Sequence, residues 1–280
     1  MLIKHLKLFF LIVGILLNLF SCIERCENTT RLNKQDNNSE AAENSENTLN
    51  KVRLKKWGLG ENLTTQKSNN VGYNWYIDQI RTGMHYGENC GPTVATMAIM
   101  WTDSNFNKSP VEARESYVSG GGDWYTSDII AYLNDNQISN YILKLNSDKN
   151  QLKQVIDSDN IAVLCIDTYQ LDYTFRKNWH KNRFYKTRKK GNGHFIIVKG
   201  YIVVDDILYF EVYDPFSMGK TYSNNSPKGV DRYYTEDNIN KATKCWWNYA
   251  IVVTRKQLNK KNKLIIPKEE HKPGSYSSTK

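Results

Sequence analysis

The order of apolar and polar positions predicts a folded region in which helices come first. NCGPTVATMAIMWTD carries closely spaced apolar residues and predicts a helix that starts near Cys90. TSDIIAYLNDNQ and LKQVIDSDN predict two shorter helices, the first with Thr126 or Ser127 as its N-cap. IAVLCID, which follows, is a short apolar run typical of a buried strand.

Strand patterns dominate the later part of the region. HFIIVKGYIV and ILYFEVYDP flank Val204-Asp205-Asp206 and predict an antiparallel hairpin, and NYAIVVTR predicts a final strand. Helices followed by an antiparallel sheet indicate an α+β domain.

The N-terminus has a different pattern. A short basic region precedes an apolar run from Leu8 to Phe20, which is too short to span a membrane comfortably and is typical of a signal peptide. The run ends in LFSC, which resembles the lipobox of bacterial lipoproteins and makes Cys22 the predicted lipidation site. An acyl anchor would hold the mature chain on a membrane surface. The alternatives are an ordinary signal peptide cleaved nearby and an uncleaved anchor.

These patterns divide the 280 residues into four predicted parts. Residues 1–21 are the signal peptide, 22–68 a flexible polar tether, 69–258 the folded domain and 259–280 a basic disordered tail. We therefore expect an exported protein of the bacterial cell envelope, with the choice between inner and outer membrane left open.

Charge and cysteine content narrow the expected partners. A formal net charge of +9 favours anionic partners in general. Because the sequence has no zinc-finger spacing and no glycine-rich phosphate loop, we expect no nucleic-acid partner. We also expect no metal or organic cofactor, and a monomer. The five cysteines fit no zinc motif and imply no particular disulfide; Cys165 is expected to be buried, and the states of Cys26 and Cys245 stay open.

Three polar residues at the ends of predicted elements are candidates for catalysis. Cys90 opens a helix, His194 opens a strand, and Asp214 closes the next strand, 20 residues after His194. A thiolate is the attacking form of cysteine, and the N-terminus of a helix favours negative charge. A neighbouring histidine can pair with the thiolate and later protonate the leaving group, while a carboxylate orients the imidazole.

The residues beside these candidates suggest where a substrate would bind. Gly91 is expected to leave room for an acyl group, and Gly193 to let backbone pass close to a substrate or the thiol. The neighbouring Asn89 is a further candidate substrate-binding residue.

DQIRTGMHYGENCGPTVATMAIMW, taken with GHFIIVKGY and YDP downstream, resembles a known family. It is similar to the papain-like cysteine peptidases of the bacteriocin-processing superfamily, peptidase family C thirty-nine, in a stand-alone form. The resemblance covers most of residues 73–254 and implies a papain-like fold. It implies Cys90 as nucleophile, His194 as general base and acid, and Asp214 as the orienting residue. Gln79, 11 positions before Cys90, matches the glutamine that donates to the oxyanion.

A basic, aromatic segment, residues 169–193, precedes His194 and is long for a connection between strands. It is either a solvated mobile surface loop or a lid or exosite for an anionic substrate or envelope polymer. In the second case Arg188, Lys189 and Lys190 are candidate binding residues.

The sequence thus predicts a membrane-anchored cysteine peptidase that hydrolyses peptide bonds of a peptide or protein substrate through a thioester. Two alternatives remain. One is a peptidoglycan amidase or acyl transferase with the same three residues, and the other is a papain-like binding module without turnover.

Overall fold

A computed structural model of the protein describes residues 46–145, 150–187 and 190–257. The chain divides into two compact units, Met1–Arg53 and Leu54–Lys280. In the described part of the first unit, residues 46–53 are helical. All elements labelled below belong to the second unit.

The second unit combines α-helices with one sheet. Its strands are β1 (Leu63–Ser68), β2 (Asn140–Lys144), β3 (Ile161–Asp167), β4 (Gly193–Val204), β5 (Ile207–Tyr213), β6 (Arg232–Thr235) and β7 (Tyr249–Val253). Its α-helices are α1 (Cys90–Thr102), α2 (Pro110–Glu115), α3 (Thr126–Asp135), α4 (Gln151–Asp157) and α5 (Glu236–Lys244). Short 3-10 helices cover Gln79–Arg81, Tyr86–Glu88 and Thr168–Gln170.

The sheet is antiparallel, with the strand order β2-β7-β3-β4-β5-β6. β4 is long enough to pair with two strands along one edge. Its first half pairs with β3, and its second half, Gly200–Val204, pairs with β1. β7 comes last in the chain but lies inside the sheet, between β2 and β3.

Helices cover both faces of the sheet. Along β3 the side chains alternate, so that Val163 and Cys165 pack with α1 and α3, whereas Leu164 and Ile166 pack with α4 and α5. This double cover explains why every residue of β3 is buried. The structure confirms a mixed fold of helices and antiparallel sheet, and it confirms that Cys165 is buried.

The predicted hairpin is confirmed as β4–β5. Asp205 and Asp206 form its turn with φ values of 49° and 61°. Positive φ at both central residues matches the right-handed twist of the flanking strands, and aspartate tolerates this conformation better than most residues.

The predicted boundary between tether and domain at residue 68 is wrong, because Leu63–Ser68 is strand β1. The carboxylate of Asp205 holds the entry to this strand by accepting hydrogen bonds from the backbone nitrogens of Glu61 (3.1 Å) and Asn62 (3.0 Å). Leu54 and Leu59, which lie further upstream, are buried against Ile202 and Val204. The core therefore extends well into the segment predicted to be a tether.

The predicted N-cap of α3 is also wrong. Thr126 and Ser127 already belong to the helix, and Tyr125 occupies the cap position. Asp128 reaches back to accept a hydrogen bond from the Tyr125 backbone nitrogen (2.6 Å), so a carboxylate in the first turn supplies the capping interaction.

Several predictions fall on residues that the structure does not describe. They are the signal peptide, Cys22, Cys26, the first part of the tether and the predicted tail at 259–280. In the described ranges, every helix is too short or too polar to cross a membrane.

Candidate active site

The site is built where α1, β4 and β5 meet at one end of the sheet. Cys90 is the first residue of α1 and is 7% exposed. The Thr93 hydroxyl donates to the Asn89 carbonyl oxygen (2.5 Å) one turn earlier, which fixes the start of the helix. The Cys90 thiol is close enough to His194 to help raise the pKa of that imidazole.

His194 and Asp214 form a buried, hydrogen-bonded pair. The distance from His194 Nε2 to Asp214 Oδ1 is 2.7 Å. The sheet places them on one face, because His194 lies two residues before Ile196 and Asp214 two residues after Val212, and both apolar residues pack into the same core. With Nε2 bound to Asp214, the ring nitrogen left for the Cys90 thiol is Nδ1.

Two tyrosines that sequence reasoning missed complete the surroundings of Asp214. The hydroxyl groups of Tyr185 and Tyr234 donate to Asp214 Oδ2 at 3.0 and 3.2 Å, and the Phe216 backbone nitrogen donates to Oδ1 at 2.9 Å. The carboxylate is fully buried and its two oxygens accept four hydrogen bonds. This environment holds Asp214 charged and in a fixed orientation.

Electrostatics favour the charged forms of both His194 and Asp214. Burial disfavours the charged imidazole, but the charge and hydrogen bond of Asp214 and the contact with Cys90 outweigh it and raise the pKa of His194 to about 10. Burial likewise acts to raise the pKa of Asp214, but His194 and the donors on the carboxylate bring it below its ordinary value. Burial and the Asp214 charge raise the pKa of Tyr185, which keeps its hydroxyl a neutral donor.

Gln79 links the segment after Asp214 to the loop before Cys90. Its backbone nitrogen donates to the Pro215 carbonyl oxygen (2.8 Å), and its Nε2 donates to the Tyr86 carbonyl oxygen (2.9 Å). Because a carboxamide carries two N–H bonds, one remains for a further acceptor. The buried Gln79 side chain is thus held in place beside the loop that leads into α1. Its oxyanion role stays a prediction.

The structure gives Asn89 a structural role, and its predicted substrate contact stays a prediction. Its side chain is fully buried, donates to the Thr82 carbonyl oxygen (2.8 Å) and accepts from Arg114 Nε. Asn89 therefore organises the loop before the nucleophile, because a buried amide needs partners on both its oxygen and its nitrogen.

The two candidate glycines occupy different positions. A Cβ atom on Gly91 would lie 2.6 Å from Trp124 Cβ, so the missing side chain makes room for Trp124. The expected space for an acyl group stays a prediction. Gly193 is half-buried at the start of β4, opposite Asp167. Its position beside His194 leaves the predicted substrate contact open.

Part of the segment 169–193 is packed against the domain and part of it is exposed, so the choice between a surface loop and a lid or exosite stays open. Tyr185 and His180 are buried, and the backbone of Lys181 pairs with that of Tyr233 in β6 as an isolated parallel β-bridge. Lys190 is exposed, whereas Arg188 and Lys189 lie outside the described residues. The segment reaches the candidate site directly, through the Tyr185 hydroxyl on Asp214.

Of the five cysteines, the structure describes Cys90, Cys165 and Cys245, and all three are free thiols. Cys245 is exposed and its Sγ donates to the Lys241 carbonyl oxygen (3.4 Å). Across the described ranges, no group of three or more His, Cys, Asp and Glu side chains is placed to hold a metal ion.

Comparisons with known proteins find similarity among solved structures. No family model matches the chain. No curated protein matches it either. Among solved structures, a Bacillus anthracis protein provisionally described as a C39-like peptidase is similar at 12% sequence identity and a TM-score of 0.45, over 70% of this chain and 100% of that one. Similarity at this level assigns no function to the chain.

Proposed function

We propose that this protein is a papain-like cysteine peptidase in which Cys90, His194 and Asp214 act together. The observation that carries the proposal is the buried pair of His194 and Asp214, with 2.7 Å between Nε2 and Oδ1, next to the Cys90 thiol, which helps to raise the pKa of His194. A nucleophile beside a base that a carboxylate orients is the arrangement that acyl transfer requires.

In the proposed resting state His194 carries the proton and Cys90 is a thiolate, in keeping with the raised pKa of His194. The thiolate attacks the carbonyl carbon of a peptide bond, and the imidazolium protonates the leaving amine as the C–N bond breaks. His194 then takes a proton from water, which attacks the thioester, breaks the C–S bond and releases a carboxylic acid. Asp214 stabilises the imidazolium and holds Nδ1 towards the sulfur throughout.

The oxyanion formed in each attack needs hydrogen-bond donors. The backbone N–H of Cys90 stands at the start of α1, where helical N–H groups lack partners within the helix. The second N–H of the Gln79 carboxamide is the other proposed donor. Removal of one such donor typically costs about 3 kcal/mol in the barrier.

The pH dependence of Cys90 alkylation tests the proposal without a known substrate. The full chain is treated with iodoacetamide between pH 5 and pH 8, and peptide mass spectrometry follows each cysteine separately. Cys245 is the internal control, because the residue is exposed and partial burial of its thiol, together with the charge of Asp167, raises the pKa of that thiol. We expect buried Cys90 to react faster than Cys245 at pH 6, and about tenfold or more slower in His194→Ala. Equal Cys90 rates with and without His194, in folded proteins, would refute the pairing.

A substrate screen separates the possible bonds. The wild-type protein is incubated separately with a peptide library and with purified sacculi. We expect it to release fragments from the peptide library, and Cys90→Ala should release none. Muropeptides from the sacculi, with no cleavage of the library, would assign the activity to amide bonds of peptidoglycan.

We also propose that the enzyme is a lipoprotein held at the envelope membrane through Cys22. Support comes from the apolar run and the LFSC sequence, which lie outside the described residues. Expression with radiolabelled palmitate should label the wild type and leave Cys22→Ala unlabelled. Label on both proteins, or on neither, would rule out this anchor.

A further inference from the structure

The loop from Asp172 to Arg183, called the 172–183 loop below, exposes an aromatic ring beside two cations. Phe175 is 78% exposed, and the neighbouring Arg176 and Lys177 are exposed as well. The Arg176 guanidinium lies 5.3 Å from the centre of the Phe175 ring. A single exposed apolar side chain is common on protein surfaces, so the combination with the two cations is what distinguishes this tip.

Hydrogen bonds close the base of the 172–183 loop. The Arg183 backbone nitrogen donates to the Asp172 carbonyl oxygen, and the Thr174 backbone nitrogen donates to the Arg183 carbonyl oxygen, both at 2.9 Å. Arg183 Nε also donates to the Leu171 carbonyl oxygen (2.8 Å). A tip that is held at its base loses less conformational entropy when it binds a partner than a free chain would.

The charge of the tip is positive and is not offset within the loop. Residues 173–183 contain four cations and no acidic residue. Lys181 is half-buried, and its Nζ donates to the Tyr209 hydroxyl (3.0 Å). Arg176 and Lys177 are exposed, and within the described ranges neither side chain forms an ion pair. These two cations therefore favour an anionic partner.

Phe175 distinguishes between two kinds of anionic partner. A soluble polyanion is bound through its charge and gains little from an apolar ring at the tip. A membrane surface offers anionic headgroups and an apolar interior within the length of one side chain, so it can bind the ring and the cations at the same time. The exposed ring therefore favours a membrane over a soluble polyanion.

The chain enters the second unit beside the 172–183 loop. This unit begins at Leu54, and the ring centre of Trp57 lies 4.7 Å from that of His180. The Trp57 carbonyl oxygen accepts hydrogen bonds from the backbone nitrogens of His180 (3.0 Å) and Lys181 (3.2 Å). Trp57 follows Cys22, the proposed lipid attachment, by 57 − 22 = 35 residues. A lipid anchor at Cys22 would therefore raise the concentration of headgroups around the loop.

We propose that the tip of the 172–183 loop, residues 175–177, is a contact surface for a membrane that contains anionic lipids. The Phe175 ring enters the headgroup region, while Arg176 and Lys177 bind headgroup phosphates. This inference goes beyond the proposed peptidase function. It uses the proposed anchor only as the means that brings the loop to the membrane.

Photo-crosslinking of the full-length chain to lipid tests the contact. p-Benzoylphenylalanine replaces Phe175, and the protein is reconstituted into vesicles of phosphatidylcholine, with or without phosphatidylglycerol. Mass spectrometry then measures the crosslinked lipid. We expect about tenfold or more crosslinking in the anionic vesicles, because each cation near such a surface contributes about a factor of five. The matched control places the same probe at Met84, which is 90% exposed in the loop before Cys90, and should give only background crosslinking in both vesicles.

Two double variants, each with the probe at position 175, separate local charge from overall charge. Arg176→Gln combined with Lys177→Gln should lower crosslinking to the level of phosphatidylcholine vesicles. Lys108→Gln combined with Lys144→Gln removes the same charge from exposed positions elsewhere and should change crosslinking less than about twofold. Because all four side chains are exposed, we expect both variants to fold, and circular dichroism checks this.

Several results would overturn the proposal. They are equal crosslinking from positions 175 and 84, equal crosslinking in the two kinds of vesicle, and equal losses in the two double variants. Crosslinks to added polyglutamate without crosslinks to lipid would assign the tip to a soluble polyanion instead. If the probe at position 175 prevents folding, the exposed Asn178 provides the same comparison.

The outcome can be separated from that of the proposed function. Palmitate on Cys22 without crosslinks from position 175 would keep the lipid anchor and remove the contact surface. Crosslinks from position 175 in Cys22→Ala would keep the contact surface without the lipid chain. An unreactive Cys90 would remove the peptidase and change neither result.

Discussion

Replacing Tyr185 with Phe removes one hydroxyl from the surroundings of Asp214 and keeps the aromatic ring. The Tyr185 hydroxyl lies 3.0 Å from Asp214 Oδ2, and both side chains are buried. A hydrogen bond to a charged group contributes about 1.5–3 kcal/mol. Because Tyr234 still donates to the same oxygen, we expect Tyr185→Phe to lower the free energy of unfolding by about 2 kcal/mol at pH 7.

The effect should depend on pH in a defined direction. The folded-state pKa of Asp214 lies below its ordinary value, so the carboxylate contributes stability above the unfolded pKa and loses it as pH falls through the folded pKa. Loss of a donor moves the folded pKa of Asp214 upwards. The difference between wild type and variant should therefore be full at pH 7 and shrink as Asp214 is protonated.

Urea unfolding followed by tryptophan fluorescence measures the change, with Tyr132→Phe as the matched control. The Tyr132 hydroxyl is buried and has no hydrogen-bond partner among the described residues. Its removal should therefore change the free energy of unfolding by about 0.5 kcal/mol or less. Equal destabilisation by the two substitutions, or a Tyr185→Phe effect that does not vary with pH, would refute the assigned bond to Asp214.

Three further predictions concern packing, charge and the edge of the sheet. Gly91→Ala should lower the free energy of unfolding by about 1–3 kcal/mol, because the added Cβ would press on Trp124. The control Gly87→Ala lies in open space and should lower the free energy of unfolding by less than about 1 kcal/mol in the same urea titration. The pKa of His194 is raised to about 10 in the folded protein, from an ordinary value of 6.5, so protonation of His194 stabilises the fold below pH 6.5 and this stabilisation is lost as pH rises towards 10. The difference in unfolding free energy between wild type and His194→Gln should therefore fall by about 3–5 kcal/mol from pH 6.5 to pH 10. Asp205→Ala should speed amide hydrogen exchange in β1 and leave β3 unchanged, and equal exchange in both proteins would refute its anchoring role.

The arrangement of His194 and Asp214 could be predicted because its signals are local. Two apolar strands separated by Asp205-Asp206 define a hairpin, and residues near its open end must lie close together. The start of α1 at Cys90 follows from the apolar helix and the proline in its first turn. These features depend on the spacing of residues along the chain, and that spacing can be read from the sequence alone.

Other parts of the site depend on tertiary contacts and could not be predicted. β1 reads LTTQKS and is mostly polar, because an edge strand needs backbone partners more than apolar side chains. The sequence contains 18 tyrosines, and nothing local marks Tyr185 and Tyr234 as the two that reach Asp214. The structural role of Asn89 could not be predicted either, because its buried partners, Thr82 and Arg114, come together only in the folded chain.

The position of β7 inside the sheet determines when during synthesis the domain can be completed. A ribosome or export channel delivers the chain from its N-terminus, so Cys90, His194 and Asp214 all emerge before Tyr249–Val253. Until then β2 lacks its partner strand, and Ile161–Leu164 presents an unpaired apolar edge. Chains that stall or are cut before residue 249 should therefore aggregate or be degraded, and the proposed hydrolytic activity should require a chain that includes β7.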